Sequence, residues 1–183
     1  MNPKTLGKAA FQGAPGAFSH EACGLYAPGY EPVAFPWFDE AIEAVTSGVC
    51  DIAVLPVHNV TAGPVEDVAR LLPQSGLREL ARHDMIIRQN LMALPGVTLD
   101  EITEVRTHPM AIGQCRIFLN KHGLKAVEAL DTAGAAQDLA ASGERTVAVI
   151  AAREAANLYG LNILAPDIQD DPTNYTTFVV AGR

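Results

Sequence analysis

The hydrophobic positions of the chain fall into two alternating rhythms: short apolar runs, and segments whose apolar side chains return every third or fourth residue. The first rhythm fits buried strands, the second amphipathic helices. "FDEAIEAVTSG" sets Phe38, Ala41, Ile42 and Val45 on one helical face, and Gly48 ends it. "CDIAVLPV" reads as a buried strand that stops at Pro56. Beyond the polar turn "HNVTAG", Pro64 opens a helix with Val65, Val68, Leu71 and Leu72 on its apolar face. Upstream, residues 8–11 predict a strand, the glycine turn "QGAPGAFS" follows, and residues 19–26 predict a helix.

Extended segments over 77–81 and 85–93 lead into a second round of the same alternation. "ITEVR" is a strand, and Pro109 begins one helix carrying Ile112, Cys115 and Leu119 that Gly123 closes. "LKAVEAL" runs into "DTAGAAQDLAASG", and "RTVAVIA" into "AREAANLYG", each a strand followed by a helix. This is an α/β chain with mostly parallel pairing, built as two small units over 1–82 with 166–183 and over 83–165. The closing stretch "PDIQDDPTNYTTFVV" is a polar linker and a strand with no helix after it, which can return to the first unit and complete its sheet.

At 183 residues, 49% of them hydrophobic, the chain is long enough to bury a real core. Residues 1–11 hold two lysines but no apolar leader, and no run approaches a membrane span, so a soluble, cytoplasmic protein with no membrane partner is expected. Cys23, Cys50 and Cys115 have no CxxC spacing and fit buried small hydrophobes better than a disulfide framework or a zinc knuckle. The net charge of -8, with no run of Lys or Arg, gives no support to a nucleic-acid partner. An acidic ligand would need local donors and helix N-termini to overcome that field.

Four turns each follow a strand and open a helix: 13–19, 58–63, 107–113 and 131–133. In open α/β sheets ligands bind beyond the carboxyl ends of the strands, where backbone N–H groups converge. Gly16, Ala17, Ser19, His58, His108 and Thr132 are therefore candidate contacts for a small carboxylated ligand. Ser19 also suits the N-cap of its helix, and His108 a cap ahead of Pro109. "GAPGAFS" lacks the Gly-Lys-Ser/Thr ending of a phosphate loop and the spacing of a dinucleotide fingerprint. The five histidines show no pair at helical spacing, so no metal site is indicated, and no Ser/His/Asp order or nucleophile elbow supports hydrolase chemistry.

"FQGAPGAFSHEA", "DIAVLPVHN...G", "THPMAIGQC", "DTAGAA", "AANLYGLNIL" and "IQDDPTNYTTF" together resemble, in order and spacing, the prephenate dehydratase family over nearly the whole chain. The resemblance implies a two-lobed architecture like that of periplasmic binding proteins, with an active-site cleft between lobes. It also implies loss of water and carbon dioxide from prephenate to give phenylpyruvate, without a cofactor. The threonine of the family's Thr-Arg-Phe motif falls on Thr176, which the resemblance makes the proton donor to the leaving hydroxyl. Asn59, Thr107 and Gln114 match its other polar active-site positions, and Phe178 matches the motif's phenylalanine. A homodimer is implied as well, and a small anionic ring acid as substrate. The family usually continues into an ACT domain that senses phenylalanine; this chain stops at Arg183, so only the catalytic domain is expected.

The departures from the family pattern are specific. Its arginine is Thr177 here, the glutamate before the asparagine is His58, and the serine after it is Val60. A threonine cannot replace the bidentate fork that an arginine offers a carboxylate. Either His58 takes over anion binding or the ligand has changed. Two alternatives accordingly stand beside the leading reading. One is a diverged member in secondary metabolism, of the prephenate decarboxylase or tropodithietic acid (antibiotic) type, acting on another small ring acid. The other is a binding protein without catalysis. In a regular closing strand Thr176 and Thr177 point to opposite faces, and Thr176 is the one expected to serve the site.

Overall fold

The computed structural model describes residues 5–183; residues 1–4, where the lysine-bearing start of the chain begins, lie outside the described residues. The chain divides into two compact units, one formed by 5–14, Phe18–Ile86 and Asn174–Arg183, the other by Pro15–Ala17 and Ile87–Thr173. Strands and helices are numbered below in chain order.

The first unit is a six-stranded sheet in the order β2 (Tyr30–Phe35), β1 (Gly7–Gln12), β3 (Ile52–Asn59), β11 (Tyr175–Gly182), β5 (Arg78–Ile86), with the short β4 (Gly63–Pro64) paired to the end of β3. Helices α1 (Phe18–Tyr26), α2 (Phe38–Thr46) and α3 (Glu66–Leu71) connect its strands. The helical face read from "FDEAIEAVTSG" is the buried one: Ala41, Ile42 and Val45 pack with Ala53, Leu55, Val68 and Val179. The closing strand enters as an interior strand between β3 and β5, antiparallel to both. Val179 and Ala181 are fully buried as a result.

The second unit is a five-stranded sheet, β10 (Asn162–Ala165), β6 (Asn90–Ala93), β9 (Val147–Ala151), β7 (Glu104–Thr107), β8 (Lys125–Glu128), with α4 (Pro109–Gln114), α5 (Arg116–Lys121), α6 (Thr132–Ser142) and α7 (Arg153–Tyr159). All five residues of β9 are buried, as a central strand's continuous apolar run requires. No helix among the described residues is long and apolar enough to cross a membrane.

Parallel pairing is confined to the strands that feed helices, β1 with β2 and β3, and β7 with β8 and β9. The strands that enter from the other unit's stretch of sequence, β11 and β6, pair antiparallel, so each sheet is mixed where mostly parallel sheets were expected. β3 does not stop at Pro56 but continues to Asn59. Pro56 is tolerated because it lies past the two residues paired with β1 and beside a bulge in the β3–β11 ladder. The helix expected to run unbroken from Pro109 to Gly123 is split at Cys115, whose φ of -125° and ψ of 24° leave the helical region.

Candidate functional site

The candidate residues divide between the units: Ser19, Asn59, His58, Thr176, Thr177 and Phe178 in the first; Gly16, Ala17, Thr107, His108, Gln114 and Thr132 in the second.

In the first unit, ladder register does the assembling. β11 lies antiparallel on β3 with Thr176 opposite Asn59 and Thr177 opposite His58. Opposed residues in such a ladder share a face, so Asn59 meets Thr176 directly: its Nδ2 lies 3.0 Å from Thr176 Oγ1. The same Nδ2 reaches Asn174 Oδ1 and the Tyr175 carbonyl, both at 3.0 Å. The orientation of this carboxamide is fixed by chemistry. Asn59 Oδ1 accepts the backbone N–H of Thr61 at 3.0 Å and of Ala62 at 2.9 Å, an Asx turn that closes β3. An amide nitrogen could not accept those bonds, so the nitrogen must face Thr176. Asn174 is 4% exposed and its Oδ1 also accepts from Thr61 Oγ1 at 3.3 Å, which completes a neutral polar knot at the head of β11.

Thr176 is 9% exposed. Its oxygen accepts from Asn59, while its own O–H donates to no group among the described residues. An accepted hydrogen bond polarises a hydroxyl and makes it a better donor. Thr177 points to the opposite face, where its Oγ1 donates to Asp84 Oδ1 at 2.6 Å across β5. Phe178 is buried at 2% exposure against Tyr26, which itself stacks on His83 with centroids 4.4 Å apart. The motif's phenylalanine therefore anchors β11 in the core. Burial, then the Asp84 and Glu21 carboxylates, push the Tyr26 phenol above its usual range. His58 is exposed, and Ser19 sits inside the first turn of α1, past the cap position expected for it.

In the second unit the turns split into structural and available groups. Thr107 is fully buried and its hydroxyl donates to the Ile150 carbonyl at 2.7 Å, so the donor that a ligand contact would need is already used by β9. His108 is the N-cap of α4, its Nδ1 accepting the Met110 N–H at 3.1 Å, which leaves the neutral ring's proton on Nε2. Asp131 caps α6 through the Gly134 N–H, and Thr132 is the first residue of that helix. Gly16 is held at φ +93°, and a Cβ there would lie 3.1 Å from Ala155 Cα and from the Tyr159 ring. The glycine serves a close approach to α7, which the Tyr159 hydroxyl pins through the Pro15 carbonyl at 2.6 Å. Ala17 follows in the same turn.

Gln114 ends α4, and its Oε1 accepts from Gln89 Nε2 at 2.9 Å while its own Nε2 has no acceptor among the described residues. The helix break beside it has a visible cause. The Asp170 carboxylate accepts the N–H groups of Arg116 and Ile117 at 3.1 and 3.0 Å, and Asp170 N donates to the Gln114 carbonyl at 2.7 Å. One aspartate thus caps the start of α5 while its backbone satisfies the end of α4.

Asn174, Thr61, Gln89 and Asp170 were not among the candidates drawn from sequence. Asn174 and Asp170 stand inside "IQDDPTNYTTF", whereas Gln89, in the short link "RQN", carries no sequence signal at all.

The comparisons with known proteins agree on one family. The family model for prephenate dehydratase matches residues 9–183. Arogenate dehydratase 1 of Petunia hybrida is 42% identical over 185 residues, an overlap that takes in 100% of this chain and 43% of the relative. The bifunctional N-acyl-homoserine lactone acylase/prephenate dehydratase of Komagataeibacter europaeus is 37% identical over 174 residues, 95% of this chain and 62% of the relative. The prephenate dehydratase of Arthrobacter aurescens, solved in complex with L-Phe, superimposes with a TM-score of 0.84 at 29% identity over 96% of this chain and 60% of that one. The chain spans less than two thirds of the length of each of these proteins. With a family model covering it nearly from end to end and a 42% identical relative aligned along all of it, the chain belongs to the prephenate dehydratase family.

Proposed function

We propose that the chain carries the catalytic machinery of a dehydratase that removes water and carbon dioxide from prephenate, giving phenylpyruvate. The observation that supports this most is the Asn59–Thr176 contact, a buried hydroxyl whose oxygen is already hydrogen-bonded and whose proton is unclaimed. In the reaction the ring carboxylate leaves as carbon dioxide and its bonding pair enters the ring. The carbon–oxygen bond on the far side breaks with its pair on oxygen, and the Thr176 proton completes a water molecule. As that proton departs, negative charge grows on Oγ1, where the Asn59 N–H is already aimed. Threonine recovers its proton from solvent before the next turnover. A hydroxyl is too weak an acid to drive carbon–oxygen cleavage, but aromatisation and loss of carbon dioxide supply the driving force, so orientation and neutral donors suffice. On the second unit, the free Gln114 Nε2 is assigned a substrate contact.

A second reading, turnover of a different small ring acid, has one observation in its favour. Where the family motif carries arginine, Thr177 is bonded to Asp84, and the row across the strands is His58, Thr177, Asp84. The charged group held in that row is a carboxylate, which disfavours an anion. Purified protein offered prephenate and arogenate separately, with phenylpyruvate followed in the first case, tests the leading reading. Turnover of prephenate supports it; turnover of arogenate alone, or of neither with Thr177→Arg also inactive, favours the second.

A further inference from the structure

Gln89 is the least expected polar residue of the second unit. It is 3% exposed, and its backbone is held on both sides, N–H to Gln169 Oε1 at 2.9 Å and carbonyl from Ile168 N at 2.8 Å. Its side chain makes one hydrogen bond, Nε2 to Gln114 Oε1, and its own Oε1 is buried without a partner. A buried, unpaired carbonyl is destabilising, and an apolar side chain of the same length would remove that cost. Stability therefore gives no reason for glutamine at this position. The single thing the side chain does for another group is to hold the Gln114 carboxamide.

The direction of the bond matters. Turning both carboxamides over would bury an unpaired N–H of Gln89 in place of an unpaired oxygen, and orphaned N–H groups are the rarer of the two. In the orientation observed, Gln114 keeps its oxygen toward Gln89 and turns both N–H bonds outward. We propose that Gln89 is a positioning residue that locks the Gln114 carboxamide as a two-proton donor for a substrate carboxylate. This rests on the reading of Gln114 as a substrate contact. The backbone of Gln114 is already fixed by Asp170, so the side-chain torsions are what Gln89 adds.

The test is a double-mutant cycle with Gln89→Met and Gln114→Met, methionine keeping the chain length without the hydrogen bond. Loss of a well-oriented donor should lower kcat/KM by about 10- to 100-fold for Gln89→Met. In the Gln114→Met background the same change should alter it less than about twofold, because its only route of action is gone. The melting temperature of Gln89→Met should equal or exceed that of the wild type. An equal loss in both backgrounds, or none in either, overturns the proposal. A second readout needs neither turnover nor a variant: in the wild-type protein the Gln114 side-chain amide should show backbone-like NMR order parameters. A freely rotating carboxamide contradicts the proposal. If the wild type converts neither prephenate nor arogenate while Gln114 is rigid, the functional reading fails and the positioning does not.

Discussion

Asn59 performs two jobs with one carboxamide: its oxygen closes a turn and its nitrogen holds Thr176. The jobs can be separated. Asn59→Asp keeps an acceptor for the Thr61 and Ala62 N–H groups but places a carboxylate oxygen where the donor to Thr176 stood. We expect kcat to fall by about 100- to 1,000-fold, the loss typical of a removed oxyanion donor, and the melting temperature to fall with it, because the Asn174 Oδ1 and Tyr175 carbonyl lose the same donor while the turn keeps its acceptor. Steady-state kinetics and a thermal melt on the same sample check this, and unchanged kcat would deny Asn59 its assigned role. The thiols make a second residue-scale case. Burial pushes Cys23 and Cys115 up to about 12, so at neutral pH both are protonated, and the thiolate is the nucleophile. A thiol reagent should therefore label neither quickly in the native protein and should label all three cysteines once it is unfolded. Sequence pointed to Asn59, Thr176 and Gln114 through family motifs. It could not show that the Thr107 hydroxyl is spent on Ile150, because that depends on how β7 registers against β9.

Among the elements, the divided helix α4–α5 is the one with the most direct bearing on the site, since the break sets Gln114 at a helix end. Asp170→Ala removes the acceptor for two exposed N–H groups and should cost about 1 kcal/mol in denaturant unfolding, as other N-cap losses do. A stability unchanged by that substitution would mean the break has another cause. Gly16→Ala should be costlier, about 1–3 kcal/mol, because it combines a left-handed backbone with contact against α7. Central elements were legible: the apolar runs of β3 and β9 and the face of α2 are strongly periodic. The strands β2 and β10, each at the edge of its sheet, were not foreseen. An edge strand need not be apolar on both faces and tolerates residues such as Glu31 and Pro32. The break at Cys115 was hidden for a different reason: its cap comes from a residue 54 and 53 positions away from the amides it serves.

Over the whole molecule, the net charge of -8 sits oddly with an anionic ligand, and the neutral donors found here resolve only part of that tension. The exchange of arginine for Thr177 makes the point testable. If the ligand is prephenate, a dianion, Thr177→Arg made together with Asp84→Asn, so that the guanidinium is not held on that carboxylate, should lower the KM for prephenate by about tenfold, within the range of a single charge-assisted hydrogen bond. A KM that does not fall would favour a ligand without that carboxylate. Family and α/β class were legible from ordered motifs and periodicity. The mixed sheets were not, because strand direction is decided by β11 and β6 pairing with strands that lie far from them in sequence, β3 and β5 for the first and β9 and β10 for the second. The most direct measurement compares prephenate turnover by wild type, Thr176→Ser and Thr176→Val. Retained activity in the serine variant with loss of at least about 100-fold in the valine variant is the predicted result; a valine variant as fast as the wild type would contradict a proton from position 176.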